Sequence, residues 1–115
     1  MKYRAIVKRP DEEYGHVTHI STSLNNLQKT VGGYIEAVTI KTDFNTGNLS
    51  EFVVICNEEG KIQGLEHNCW IEGHDFVGTI IIMSVEDENF SDCLIDFKDW
   101  KIFMDLQKKW GWFKE

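Results

Sequence analysis

The chain is 115 residues long with a mass of 13.4 kDa, which suits one compact domain burying roughly two-thirds of its unfolded surface and is too short for two. Its 12 lysines and arginines against 19 aspartates and glutamates leave a net charge of −7 with histidines neutral, and a pI near 5.0, so phosphate backbones are repelled and direct nucleic-acid binding is not expected. With 42% hydrophobic residues, 27% charged residues and a single proline, the composition excludes a disordered segment.

Tyr3 to Lys8 alternates around Tyr3, Ala5 and Val7, and His16 to Ile20 offers Val17 and Ile20 after a turn-rich stretch holding Pro10, Asp11 and Gly15. Both read as strands. Ser23 is a good helix N-cap, and Leu24, Leu27 and Val31 follow at helical spacing before Gly32-Gly33, where the chain can turn through positive φ. Tyr34 to Ile40 and Glu51 to Cys56 are rich in β-branched and aromatic residues and flank Asn45-Thr46-Gly47-Asn48, the pattern of a hairpin. After a turn at Asn57-Glu58-Glu59-Gly60, Lys61 to Gly64 reads as another strand and Gly64 to Phe76 as a polar connection. Phe76 to Ser84, almost wholly apolar, reads as a central strand covered on both faces.

A longer helix begins near Asp96 or Asp99 and runs to about Trp110. Its apolar residues, Trp100, Ile102, Phe103, Met104, Leu106 and Trp110, together with Phe113, spread over an arc of roughly 200°, against the ≳100° stripe that packs one face on a core. Such an arc sinks the helix deep or sets part of it against another chain. The predicted class is α+β: a mainly antiparallel sheet of about five or six strands with one short helix and a C-terminal aromatic helix packed on one face, in one domain over residues 1–115.

The apolar run Ile80 to Met83 falls far short of the roughly 20 residues a membrane-spanning helix needs. Met1-Lys2-Tyr3-Arg4 opens an alternating segment and shows no secretory pattern, so a cytoplasmic location is expected. Cys56, Cys69 and Cys93 are odd in number and lack paired spacing, which reads as free thiols. Asn48-Leu49-Ser50 and Asn89-Phe90-Ser91 match the glycosylation pattern, which has no meaning without secretion.

The segments Val31-Gly32-Gly33-Tyr34-Ile35-Glu36, then Cys56-Asn57-Glu58-Glu59-Gly60-Lys61, then Gly64-Leu65 with Asn68, then Gly78-Thr79 before an apolar strand, stand in an order that resembles an uncharacterised domain family, DUF3846, carried largely by phages, plasmids and other mobile elements of Gram-positive bacteria. The likeness covers roughly residues 1–85. Where that family commonly places a basic residue after the asparagine, this chain has Cys69 after Asn68. The resemblance implies a small accessory protein of a mobile element and brings no catalytic residues with it.

Gly32-Gly33 follows a helix, whereas phosphate-binding glycines precede one, so the pair reads as a C-cap. His67, Cys69 and His74, with Cys56 or Cys93, are ligand types that suit zinc, but they lack a Cys-x-x-Cys knuckle, and His16 and His19 project from opposite faces of a strand; no metal is assigned. Cys69 as a nucleophile with His67 or His74 as base lacks an orienting third group, so neither a catalytic residue nor a cofactor is assigned. Glu86, Asp87, Glu88 and Asp92 do not match a calcium loop; with Asp96, Asp99 and Asp105 they read as an acidic face that draws a basic partner. The protein-binding candidates are therefore Glu86, Asp87, Glu88, Asp92, Trp100, Trp110 and Trp112, and the recognition-loop candidates are His67, Asn68, Trp70 and His74.

The expected function is a small acidic, non-enzymatic binding protein of a mobile element, acting by protein contact as an inhibitor of a host defence system, with a homodimer through the C-terminal helix as a further expectation. The alternative is a protein that binds or sequesters a small molecule or nucleotide, with Trp70, Tyr34 or the C-terminal tryptophans stacking a base.

Overall fold

A strand has a side-chain period of two, and here consecutive residues of the same strand enter two different cores. The structure, a computed structural model, describes residues 1–43 and 49–111, without the side chains of Leu49 and Trp110. Its elements are β1 (Lys2–Lys8), β2 (His16–Ser21), α1 (Leu24–Val31), β3 (Ile35–Asp43), β4 (Leu49–Asn57), β5 (His67–Ile71), β6 (His74–Val77), β7 (Ile80–Glu86), β8 (Asn89–Ser91) and α2 (Phe97–Gly111). A six-stranded sheet runs in the order β2-β1-β7-β4-β3 with β8 paired to the end of β7, and β5 and β6 form a separate hairpin. Every pairing is antiparallel. The architecture is the α+β class that the sequence predicts.

Ile6, Phe52, Val54, Ile80 and Ile82 face a core shared with α2 and the β5–β6 hairpin. Their neighbours Ala5, Val7, Val53, Ile55, Ile81 and Met83 face a second core closed by Leu27 and Val31 of α1. The middle strands are thus covered on both sides, and each fully buried aliphatic side chain contributes about 1.5–3 kcal/mol relative to exposure. In α1, Ser23 Oγ accepts the Asn26 N–H at 3.2 Å, and Gly32, at φ 82°, ends the helix by donating its N–H to Gln28 O at 2.8 Å. In α2, Asp96 Oδ1 accepts the Lys98 N–H at 2.8 Å, capping the helix start.

The wide apolar arc of α2 divides. Trp100, Phe103 and Met104 are buried against the sheet, while Ile102 and Leu106, four residues apart, are exposed. Trp100 is 0% exposed and donates its Nε1–H to Tyr14 O at 2.8 Å, so it is a core residue and not part of a protein-binding surface. Trp110 lies in the helix, but its side chain, like all of Trp112 and Phe113, is outside the described residues, as is the Asn45-Thr46-Gly47-Asn48 loop.

Several predicted boundaries are corrected. Lys61 to Gly64 is not a strand: the Gln63 N–H reaches Glu59 O at 2.9 Å and the Leu65 N–H reaches Gly60 O at 3.0 Å, closing a compact turn that leaves Ile62 exposed. Phe76 to Ser84 is not one strand, because Gly78, at φ 72°, bends the chain out of the hairpin and into the sheet. Gly64 to Phe76 is not a plain connection but contains β5, a turn with positive φ at both Glu72 and Gly73, and β6. The strand β8 follows a similar turn at Asp87 and Glu88. Among the described residues, no helix is long and apolar enough to cross a membrane.

Candidate functional site

The hairpin is fastened to the sheet by a buried polar junction. Asn68 Nδ2 donates to Lys8 O at 2.9 Å and to Gly78 O at 2.7 Å, while its Oδ1 accepts from Lys8 Nζ at 2.6 Å. A bulge between His67 and Cys69 turns both Asn68 and Cys69 inward, and burial of Lys8 lowers the pKa of its ammonium. Asn68 is therefore a structural clamp, and it is withdrawn from the recognition surface. The far end of the hairpin is held to α2 and β3, since Glu72 N–H donates to Gln107 Oε1 at 2.6 Å and Thr42 Oγ1 donates to Glu72 Oε1 at 3.1 Å.

This fastening leaves a groove of about 210 Å³ between β3, the end of β4 and β6. Val38, Cys56 and Phe76 line its apolar part, and Glu36, Glu58, Lys61, His74 and Asp75 its polar part. Three carboxylates thus stand against one lysine. Lys61 Nζ lies 4.0 Å from Asp75 Oδ2, and Asp75 Oδ1 lies 2.8 Å from His67 Nδ1. The rim is built by the segments that carry the family likeness: a Cβ on Gly33 would lie 2.8 Å from Asn57 Nδ2, one on Gly60 2.8 Å from Val77 Cγ2, and one on Gly78 2.8 Å from Leu65 Cδ1. Asn57 braces the turn, its Oδ1 accepting the Glu59 N–H at 2.8 Å and its Nδ2 donating to Gln63 Oε1 at 3.1 Å.

The thiols are not poised for attack. Burial, helped by the Glu36 carboxylate 4.0 Å away, pushes the Cys56 thiol up to about 11, and burial pushes Cys69 up to about 12. Burial also raises Cys93. At neutral pH they stay protonated, and the thiolate is the reactive form. The unfolded thiols ionise near 9, so the raised values stabilise the folded chain below that pH, and the stabilisation is lost as pH rises through about 11 to 12. Tyr14, raised to about 12 by its hydrogen bond to Asp105, has the same sign above pH 10, while the lowered Lys8 has the opposite one. The unfolding free energy from urea titration is therefore expected to fall between pH 9 and 11 in reducing buffer, by up to about 1.4 kcal/mol per pH unit for each titrating thiol, with the urea midpoint falling alongside it, and to fall less steeply in a Cys56→Ala, Cys69→Ala variant. A midpoint that rises over this range contradicts the assignment.

The remaining predicted residues fall in several places. His67 and Trp70, with ring centroids 5.8 Å apart, share one side of the hairpin beside Asp75, while His74 lines the groove. Glu86, Asp87 and Glu88 are exposed at the β7–β8 turn. Asp92 Oδ1 accepts the Arg4 N–H at 2.7 Å, Asp96 caps α2 and Asp105 Oδ1 accepts from Tyr14 OH at 2.8 Å, so these three serve the fold. Among the described residues, no three histidine, cysteine, aspartate or glutamate side chains converge to hold a metal ion. Sequence reasoning missed Lys8, Glu36 and Lys61. The first two are charged residues on apolar alternating strands, and only the pairing of distant segments reveals what they face.

These features define a class: an α+β domain whose sheet edge and added hairpin frame an acidic groove. The family model of a domain of unknown function, DUF3846, matches residues 1–101, and the chain belongs to that family. The match extends past the segment in which the likeness is legible and takes in the first turn of α2. No curated protein and no solved structure matches the chain.

Proposed function

We propose that the chain is a non-enzymatic binding protein that takes a basic segment of a partner protein into the groove rimmed by Glu36, Glu58 and Asp75. The observation that carries this reading is the gathering of Glu36, Glu58 and Asp75 around a groove with an apolar floor, at whose solvent-exposed rim the Lys61 ammonium lies 4.0 Å from Asp75. A lysine or arginine of a partner would meet the same carboxylates with its aliphatic stem against Val38 and Phe76. Negative net charge adds long-range attraction that salt screens. The phage and plasmid setting that the resemblance implies suggests a biological role as an inhibitor of a host defence system, inside the cytoplasm.

The test compares proteins captured from host lysate by the native chain and by a Glu36→Lys, Glu58→Lys variant, at about 0.05 M and about 0.5 M salt. Capture of one host protein that is lost both on raising the salt and on reversing the charges is the expected result. Capture indifferent to both changes, or none at all, refutes it, and a small-molecule mass retained in native mass spectrometry would favour sequestration instead.

A further inference from the structure

We infer that the partner segment binds as an added β-strand along the outer edge of β3, with its basic side chains over the acidic groove; this rests on the groove reading above. β3 is nine residues long and ends the sheet, and among the described residues only β4 pairs with it. The direction of its amides follows from the register. The Glu58 N–H donates to Tyr34 O at 2.8 Å, and Tyr34 and Glu58 continue the β3–β4 register that sets Ile35 opposite Asn57. Hydrogen-bonded and non-hydrogen-bonded pairs alternate in an antiparallel ladder. The backbone groups of Glu36, Val38 and Ile40 therefore point at β4, and those of Ala37, Thr39 and Lys41 point outward.

Exposed edges are usually blunted by proline, bulges or short length. β3 is nine residues long, holds no proline and pairs with β4 without a bulge from Ile35 to Asp43, so the charges of Glu36, Lys41 and Asp43 are what blunts it. The side chains alternate as well. Glu36 and Val38 line the groove, whereas Ala37, Thr39 and Lys41 are exposed on the other face. In a strand added beside β3, every second side chain would then lie over the groove next to Glu36, within the field of Glu58 and Asp75. The segment that fits is extended and proline-free, with lysine or arginine at groove-facing positions. A second copy fits less well: antiparallel self-pairing centred on Thr39 sets Glu36 opposite Thr42 and Lys41 opposite Ala37, so no groove carboxylate meets a cation directly across the ladder.

The probe is a displayed library of random peptides of about ten residues, enough to span the edge at about 3.3 Å per residue, selected on the full chain. Selected peptides are expected to carry lysine or arginine at alternate positions and no central proline. Their affinity is expected to fall about tenfold or more on Thr39→Pro, which deletes an outward amide and leaves the ladder to β4 intact, and on Glu36→Lys. Peptides that need Glu36 but bind Thr39→Pro unchanged overturn strand addition and leave the groove reading standing. Peptides indifferent to Glu36→Lys overturn the groove reading, and a library that yields no binder overturns both. A dimer in solution that Thr39→Pro splits would give the edge to a second copy and also overturn the inference. Should Thr39→Pro not fold, N-methylation along a selected peptide decides: loss at every second amide supports strand addition, and tolerance throughout refutes it.

Discussion

Replacing Trp100 with alanine is expected to remove about 3–5 kcal/mol of stability. The indole is wholly buried, meets the Phe52 ring edge-on with centroids 5.9 Å apart, and packs on Phe103 at 5.7 Å. Its Nε1–H is also the donor for Tyr14 O, in the loop between β1 and β2. Truncation therefore opens a cavity, orphans a carbonyl and loosens that loop together with the helix, whose Asp105 accepts the Tyr14 hydroxyl. Against a total of about 5–15 kcal/mol for a small domain, this is a large fraction. Urea unfolding followed by circular dichroism is expected to show a midpoint lower by about 2–3 M at a slope near 1.5 kcal/mol per M. The exposed Ile102→Ala is the control, expected to cost less than about 1 kcal/mol. Equal losses for the two variants would contradict the orientation of α2.

The second large effect is expected at Asn68. Alanine there leaves the carbonyls of Lys8 and Gly78 without its amide donor, and takes the acceptor at 2.6 Å away from a buried ammonium. The expected cost is about 3–5 kcal/mol at pH 7, because a buried charge stripped of its partner is more expensive than an absent one. Two controls separate this from a simple loss of packing. Adding Lys8→Met to Asn68→Ala is expected to recover about 1–2 kcal/mol, since no ammonium is then left stranded. The pH dependence has a definite sign: Lys8 is lowered in the folded state, so its penalty is full below the folded value and eases as pH climbs toward 10.5. The deficit of Asn68→Ala relative to the native chain, with the common thiol titration subtracted, is expected to shrink over that range. A deficit that ignores both Lys8→Met and pH would show that the junction is only space-filling.

The elements legible in the sequence are those whose local signals agree with their final surroundings. Ser23 and Gly32 bracket α1 as capping chemistry requires, and the β-branched runs of β3 and β4 pair along their full length. The hairpin β5–β6 was illegible because its bulge makes Asn68 and Cys69 consecutive inward residues, which destroys the alternation by which a half-buried strand is recognised. The strand β8 is hidden in the sequence because Asp87-Glu88 makes a turn of two positive-φ residues without the glycine or asparagine that usually announces one. Lys61-Ile62-Gln63-Gly64 imitates a strand by alternating, yet Ile62 is 85% exposed. The groove could not be read at all, since it joins Glu36 on β3, Glu58 and Lys61 on a turn, and Asp75 on the hairpin, brought together by tertiary packing alone. The aromatic residues of α2 announce a helix that packs on the sheet, but the division between Trp100 inside and Ile102 outside depends on a helix rotation that periodicity over so broad an arc leaves undetermined.

The placing of β7 between β1 and β4 bears on how the chain is made. Ile6 finds its partner Ile82 only after most of the polypeptide has been synthesised, and Val54 waits for the same residue. As the nascent chain lengthens, β1–β2 and β3–β4 can each close as local hairpins, but neither encloses an interior until the late strand slots between them. Such non-local closure belongs to the slow end of single-domain folding, milliseconds to seconds. Through that interval both apolar faces are open to proteases and to other unfinished chains, and a product that stops short of Ile80 would hold the β1–β2 and β3–β4 hairpins without the strand that joins them into one sheet.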